Sequence, residues 1–327
     1  MRVIRSASMR PLAGKKIAVL GFGSQGRAQA LNLRDAGFVP VIGLPASSVS
    51  RRRAKADRFT VVHPAEAVAK SDIVFVLAPD HVHGVLFDAE IAPRLCAGQT
   101  LVFAHASSVH FGVLRPPTFV DVILVAPLGP GKRLRELRGR ADGVPCFWAV
   151  DQNPSRGAQQ TALALARAIG CLPAGAIQTT FAGEAVGDLF GEQAVLCGGL
   201  GELLTAGVGT LVRHGLSPQA AYLECVYQID LIVDLIKSEG LAGMYDLISP
   251  TAAYGAKVAG PKVIGAESHR AMERLYADIA SGRFFKEWVK RNSKRKTRTR
   301  LTPDVPSAFA RGENETRKLL GSRRTKG

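Results

Sequence analysis

Apolar residues fall into two patterns along the chain, and the change between them divides it. In the first half, short continuous apolar runs at Ile17–Leu20, Val39–Ile42, Ile73–Leu77, Leu101–Ala104, Val120–Val125 and Cys146–Val150 read as strands. Ala28–Ala36, Ala65–Ala69 and Ile91–Leu95 read as intervening helices. Strands separated by helix-length segments predict an open, mostly parallel sheet with helices on its faces. Past about Thr179 no strand-like run follows, and Ala194–Thr210, Pro218–Lys237 and His269–Ser281 have helical periodicity. The expected organisation is a Rossmann domain over residues 1–178, an all-helical domain over 179–289 and a basic, flexible tail over 290–327.

The first strand runs straight into Gly21-Phe22-Gly23-Ser24-Gln25-Gly26, followed by a helix and a second strand. That β-α-β setting is what a dinucleotide fingerprint requires. Gly21 allows the tight turn, Gly23 lets backbone approach a pyrophosphate, and Gly26 lets helix pack on strand. An NAD-type site would carry an acid after the second strand. Here the chain reads Gly43-Leu-Pro-Ala-Ser47-Ser48-Val-Ser50-Arg51-Arg52-Arg53, and its hydroxyls and guanidiniums suit the 2′-phosphate of NADP. Ligands on such sheets collect at the carboxyl ends of strands, where Pro79-Asp80-His81, His105 and Pro127-Leu-Gly-Pro-Gly131 stand.

In the helical half, Asp188 and Glu192 are four residues apart inside an apolar run, and Glu224 and Gln228 repeat the spacing. Facing helices with these pairs inward would make an oxygen-lined cage suited to Mg²⁺. A solvated helix face is the plainer reading of either pair taken alone.

The five cysteines form no CxxC and read as reduced thiols of a cytoplasmic protein. No signal peptide or stretch of transmembrane length is expected. Of the net charge of +16, the segment from Lys290 to Gly327 holds +10, with 13 Lys/Arg against three acids. No stacking aromatics interleave those charges, so the tail reads as a solvated extension and not as a nucleic-acid surface. His81 and His83, two apart on a loop, could ligate a metal but read more plainly as solvated loop histidines, and His110 reads as a locally satisfied one.

With these motifs placed, the chain resembles the ketol-acid reductoisomerases of the short class with one helical domain. The likeness runs from about Gly14 to Trp288 and is carried by Gly21–Gly26, Ala126-Pro-Leu-Gly-Pro-Gly131, Thr179–Gly199, Ala221–Leu235, Ser249-Pro-Thr-Ala-Ala-Tyr-Gly255 and Gly260-Pro-Lys-Val-Ile264. The resemblance implies a knotted, dimeric helical domain. It implies Mg²⁺-dependent alkyl migration and NADPH reduction of a 2-hydroxy-3-keto acid such as 2-acetolactate, in branched-chain amino-acid biosynthesis. It makes His105 the active-site histidine, Asp188 the ligand bridging two metals, Glu192 a ligand of the first metal and Glu224 one of the second. It makes Ser249 a contact of the substrate carboxylate. Ser48 and Ser50 become cofactor-phosphate contacts, Asp80 part of the nicotinamide-side loop, and Gly131 a cofactor contact.

Departures from the family pattern fall near the chemistry. Leu128 stands in place of a lysine, Gln228 of a fourth carboxylate, Pro45 of an arginine and Ala253 of a glutamate. His105-Ala106-Ser107 replaces His-Gly-Phe, and His81 and His83 replace Glu and Gln. Three functions follow as alternatives: the full family reaction, a reductase of a related 2-keto acid without isomerisation, or a dinucleotide-binding paralogue that acts by association.

Overall fold

The computed structural model describes residues 2–293 and 304–320. Nine strands form one sheet: β1 Val3–Ile4, β2 Ile17–Leu20, β3 Val41–Gly43, β4 Val61–Val62, β5 Ile73–Val76, β6 Thr100–Phe103, β7 Asp121–Pro127, β8 Cys146–Gln152 and β9 Ala176–Gln178. Their order is β1-β9-β8-β7-β6-β5-β2-β3-β4. The run from β7 to β4 is parallel, whereas β7 and β8 pair antiparallel, as do β1 and β9. The central strands β2, β5 and β6 are buried at every position, as their unbroken apolar runs require once helices cover both faces. β1, β4 and β9 are too short to leave a sequence signal.

Helices α1 Ser24–Asp35, α2 Ser50–Ala56, α3 Pro64–Ala69, α4 His83–Leu86, α5 Ser107–His110, α6 Gly131–Glu136 and α7 Ala158–Ala168 connect the strands. The helix expected at Ile91–Leu95 is instead a π-helical turn, Phe87–Ile91, running into a 3₁₀ turn, Ala92–Arg94. Pro93 lacks the amide hydrogen that would continue an α-helix there. α8 Phe181–Phe190, α9 Gly198–Arg213, α10 Pro218–Tyr222, α11 Ile229–Leu247, α12 Pro250–Val263, α13 Ala266–Ala280, α14 Arg283–Ser293 and α15 Ser307–Leu319 complete the chain. Two π-helical segments, Gly191–Leu196 and Leu223–Tyr227, interrupt the helical half, and Gly240 (φ +77°) breaks α11. The stretches Ala194–Thr210 and Pro218–Lys237 are helical as expected, but a π-helical segment enters each, because periodicity does not separate i→i+4 from i→i+5 bonding.

Among the described residues the chain divides into two compact units, 2–188 with 279–293, and 189–278 with 304–320. The division differs from the one drawn at residue 179 because α8 is anchored to the sheet unit. Its Glu184 accepts the Ala106 N–H at 2.7 Å, and Ala185 is fully buried. The segment from Ile279 returns to the same unit because Phe285 is buried, 5.5 Å from the Phe111 ring.

Within the basic tail, read as a mobile or loosely docked extension, α15 packs in the second unit, with Phe309 edge-on to Tyr222 at 5.3 Å. Gly312 lies so near Pro218 that a Cβ would stand 2.2 Å from its carbonyl oxygen. The remaining tail residues, 294–303 and 321–327, lie outside the described residues. Contrary to expectation, the helical run Phe181–Arg213, 33 residues, is long and apolar enough by length and composition to cross a membrane. It nevertheless carries Glu184, Asp188, Glu192 and Glu202, a spacing of carboxylates that a lipid-facing span does not accommodate.

Candidate active site

The glycines of the fingerprint divide into two kinds. Gly21 (φ +105°) faces Leu77, whose carbonyl oxygen would lie 2.4 Å from an added Cβ, and Gly26 faces the Gly21 carbonyl at the same distance. These two are demanded by the protein. At Gly23, the residue just before α1, an added Cβ would meet nothing within 4 Å. The open cradle at the α1 N-terminus fits a dinucleotide pyrophosphate drawn against bare backbone. Gly131, at the start of α6, donates its N–H to Ser24 Oγ at 3.2 Å, so two helix N-termini meet there.

The neighbouring side chains have duties of their own. Phe22 is buried against Phe59, and Gln25 donates to the Gly129 carbonyl at 2.8 Å. Toward a cofactor these two residues offer backbone. In the turn after β3, Ser48 Oγ accepts the Ser50 N–H at 3.3 Å, and Arg51 Nη1 donates to the Leu44 carbonyl at 2.6 Å. Arg52 and Arg53 are exposed. Asp80 begins the 3₁₀ turn that follows β5.

His105 follows β6 and is the hub of a charged cluster. Its Nδ1 lies 3.3 Å from Glu184 Oε2 and 3.2 Å from Asp188 Oδ2, and its Nε2 lies 2.7 Å from Ser107 Oγ. Burial is the largest influence on the imidazole and pushes its pKa down. The Glu184 hydrogen bond and charge, with Asp80 and Asp188 behind them, outweigh burial and lift it to about 9. Ligand atoms of His105, Glu184 and Asp188 all lie within 4.8 Å of one another. The carboxylate oxygens suit a hard divalent cation, while the imidazolium competes with it for Asp188.

Spacing within the apolar run left open whether the carboxylates face a cage or solvent. Asp188 is 43% exposed at its side chain, Glu192 is exposed too, and the buried acid is Glu184, whose side chain is 3% exposed. Glu184 was missed, although it stands four residues before Asp188 and extends the same spacing by one step. Its charge is satisfied by the Ala106 N–H and by His105. Ser107 was missed as well, since nothing in its neighbourhood announces a partner for an imidazole.

The row Ser107–His105–Glu184 has the outline of a nucleophile, base and orienting acid. Burial excludes that use: Ser107 is fully buried, so its hydroxyl has no open approach to a substrate.

Glu192, Glu224, Gln228 and Ser249 belong to the second unit. There Gln228 Nε2 donates to Glu224 Oε2 at 3.4 Å, so this pair is side by side as its spacing predicts. Ser249 caps α12, its Oγ accepting the Ala252 N–H at 3.2 Å. Leu128, just beyond β7, is 44% exposed. His83 is not a solvated loop histidine: it is 3% exposed and hydrogen-bonded through both ring nitrogens.

Residues 11–175 match the family model of the acetohydroxy acid isomeroreductase NADPH-binding domain, and residues 181–319 that of the ketol-acid reductoisomerase C-terminal domain. An NADH-preferring ketol-acid reductoisomerase from an uncultured archaeon is 37% identical, with 98% of this chain and 95% of that one covered and a TM-score of 0.84. Two further solved structures share the fold alone. An NAD-binding semialdehyde dehydrogenase protein from Cupriavidus necator is 20% identical over 85% of this chain and 99% of its own (TM-score 0.65). A pyrroline carboxylate reductase from Plasmodium falciparum is 13% identical over 82% and 98% (TM-score 0.53). The fingerprint cradle, the cluster around His105 and both domain matches lead to one conclusion: the chain belongs to the ketol-acid reductoisomerase family and is a nicotinamide-dependent oxidoreductase.

Proposed function

We infer that the chain reduces a 2-hydroxy-3-keto acid of the 2-acetolactate type with NADPH and Mg²⁺, and that its isomerising step is the weaker of the two. The observation that carries this reading is the cluster of His105, Glu184 and Asp188 beyond the end of β6, with Asp80 beyond the adjacent β5. When bound, the cofactor supplies hydride and the metal supplies Lewis-acid polarisation of the substrate oxygens. Asp188 and Glu192 would hold the first metal and Glu224 and Gln228 the second, with Ser249 at the substrate carboxylate. His105 holds a proton at Nδ1 between Glu184 and Asp188 and so orients the Asp188 carboxylate.

Leu128 and Gln228 favour a reductase in which migration is impaired. The lysine replaced by Leu128 would place a fixed positive charge where alkoxide charge develops, and Gln228 brings no charge to balance a dication. Offering the purified protein 2-acetolactate, and separately the rearranged 3-hydroxy-2-ketoisovalerate, with NADPH and Mg²⁺ tests this reading. Faster turnover of the rearranged acid supports it, and equal turnover of both removes the impairment.

NADPH should bind more tightly than NADH, because Ser48, Ser50 and the exposed Arg52 and Arg53 stand where an acid for the ribose diol would otherwise be. The archaeal relative prefers NADH by its name, so cofactor choice rests on this turn of the present chain. Equal dissociation constants in a fluorescence titration would overturn the preference.

A homodimer through the helical unit is the proposed assembly, in the cytoplasm. Leu231, Val233, Leu241, Leu247 and Tyr254 are all more than two-fifths exposed in the single chain, apolar side chains that a second copy would cover. Sedimentation at micromolar concentration should show a dimer, and a stable monomer there would count against it.

A further inference from the structure

Two segments at the carboxyl ends of adjacent strands carry the proposed chemistry. One is the Asp80 turn after β5, and the other is α5, which begins two residues after His105. A single buried ring joins them. His83 Nε2 lies 2.8 Å from the Ala78 carbonyl oxygen, which only accepts, so Nε2 carries the hydrogen. Nδ1, at 2.8 Å from Ser108 Oγ, then accepts the serine hydroxyl hydrogen. Burial is the largest influence on His83 and lowers its pKa, against the charge of Asp80, whose Oδ1 lies 3.8 Å from the same Nδ1. Ser108 is buried in α5, and its carbonyl receives the N–H groups of Val113 and Leu114, so pulling on Ser108 moves the whole turn.

The same two segments are braced from outside by α14. Trp288 meets His81 edge-on at 5.4 Å, and Phe285 lies 5.5 Å from Phe111, the residue just after α5. We propose that His83 is a positioning residue, an imidazole staple that holds the Asp80 turn at one spacing from the helix following His105. The Asp80 turn and the His105 ring then move as one body. This rests on the roles proposed above for Asp80 and His105.

The test uses the full chain with NADPH, Mg²⁺ and 3-hydroxy-2-ketoisovalerate. His83→Leu keeps much of the volume and loses both hydrogen bonds, and it should lower kcat about tenfold with KM changed by less than about twofold. His83→Gln, with one donor and one acceptor at similar reach, should stay within about twofold of the unmodified kcat. Ser108→Ala should match His83→Leu, and the double variant should be no worse than either single one, because both break the same link. Unaltered kcat in Ser108→Ala, or losses that multiply in the double variant, would overturn the staple. That outcome can be read from Ser108→Ala even if His83→Leu does not fold. His105→Ala run alongside separates the two levels: if it leaves turnover untouched, the reading of the site fails, whereas its loss beside an unaffected Ser108→Ala overturns the staple alone.

Discussion

Replacing Glu184 with glutamine should bring the His105 pKa down from about 9 and cost the metal-free protein on the order of 3 kcal/mol at neutral pH. The amide oxygen still accepts the Ala106 N–H, so the local turn survives, but the charge that balances the imidazolium is gone. The pH dependence has a definite sign. In the folded protein the His105 pKa lies above its ordinary value of 6.5, so the stabilisation is fully present below pH 6.5. It is lost as the pH rises through about 9. Urea unfolding of the metal-free protein should therefore show His105-dependent stability declining between pH 6.5 and 9, and Glu184→Gln should flatten that decline. Identical slopes in the two proteins would show that Glu184 is not what holds the proton on His105. Turnover should fall by about two orders of magnitude in the same variant, since Asp188 loses its oriented partner.

The second large effect concerns the metals. Gln228 donates its amide to Glu224 and so occupies one of the oxygens a cation would use, at 3.4 Å, while contributing no charge. Gln228→Glu places two carboxylates side by side, a repulsion that a divalent cation relieves. Mg²⁺ binding measured by calorimetry should gain a second, tighter event in that variant. Adding Leu128→Lys should raise isomerisation of 2-acetolactate further, by up to about a hundredfold, the scale of removing one electrostatic contact at a developing oxyanion. The two changes serve one substrate and need not add. Low-Mg²⁺ isomerisation by the unmodified protein, with no gain from either change, would sink this account of the departures. Asp188→Asn is the control, expected to abolish both steps.

The dinucleotide half was legible because its signals are local. Buried parallel strands have to be apolar throughout, so β2, β5 and β6 stand out as runs, and Gly21 and Gly26 are glycines because backbone atoms of Leu77 and Gly21 occupy the space of a Cβ. The helical half was legible as a class but not in its details, since an apolar stripe looks the same whether a segment bonds i→i+4 or, as around Glu192 and Glu224, i→i+5. Spacing placed Glu224 beside Gln228 because four residues along a helix is a short-range fact.

What only the tertiary structure decided is which acid is buried and what each histidine does. Glu184, Asp188 and Glu192 are equivalent by spacing, and Glu184 alone is sunk into the fold because its helix meets the Ala106 amide and the His105 ring, 78 and 79 residues earlier in sequence. His81, His83 and His105 likewise share one residue type. Their roles divide through the Trp288 ring, the Ser108 hydroxyl and the Glu184 carboxylate that folding brings to each. Charge state and burial are set by partners distant in sequence, and no local pattern encodes a partner that only chain closure delivers.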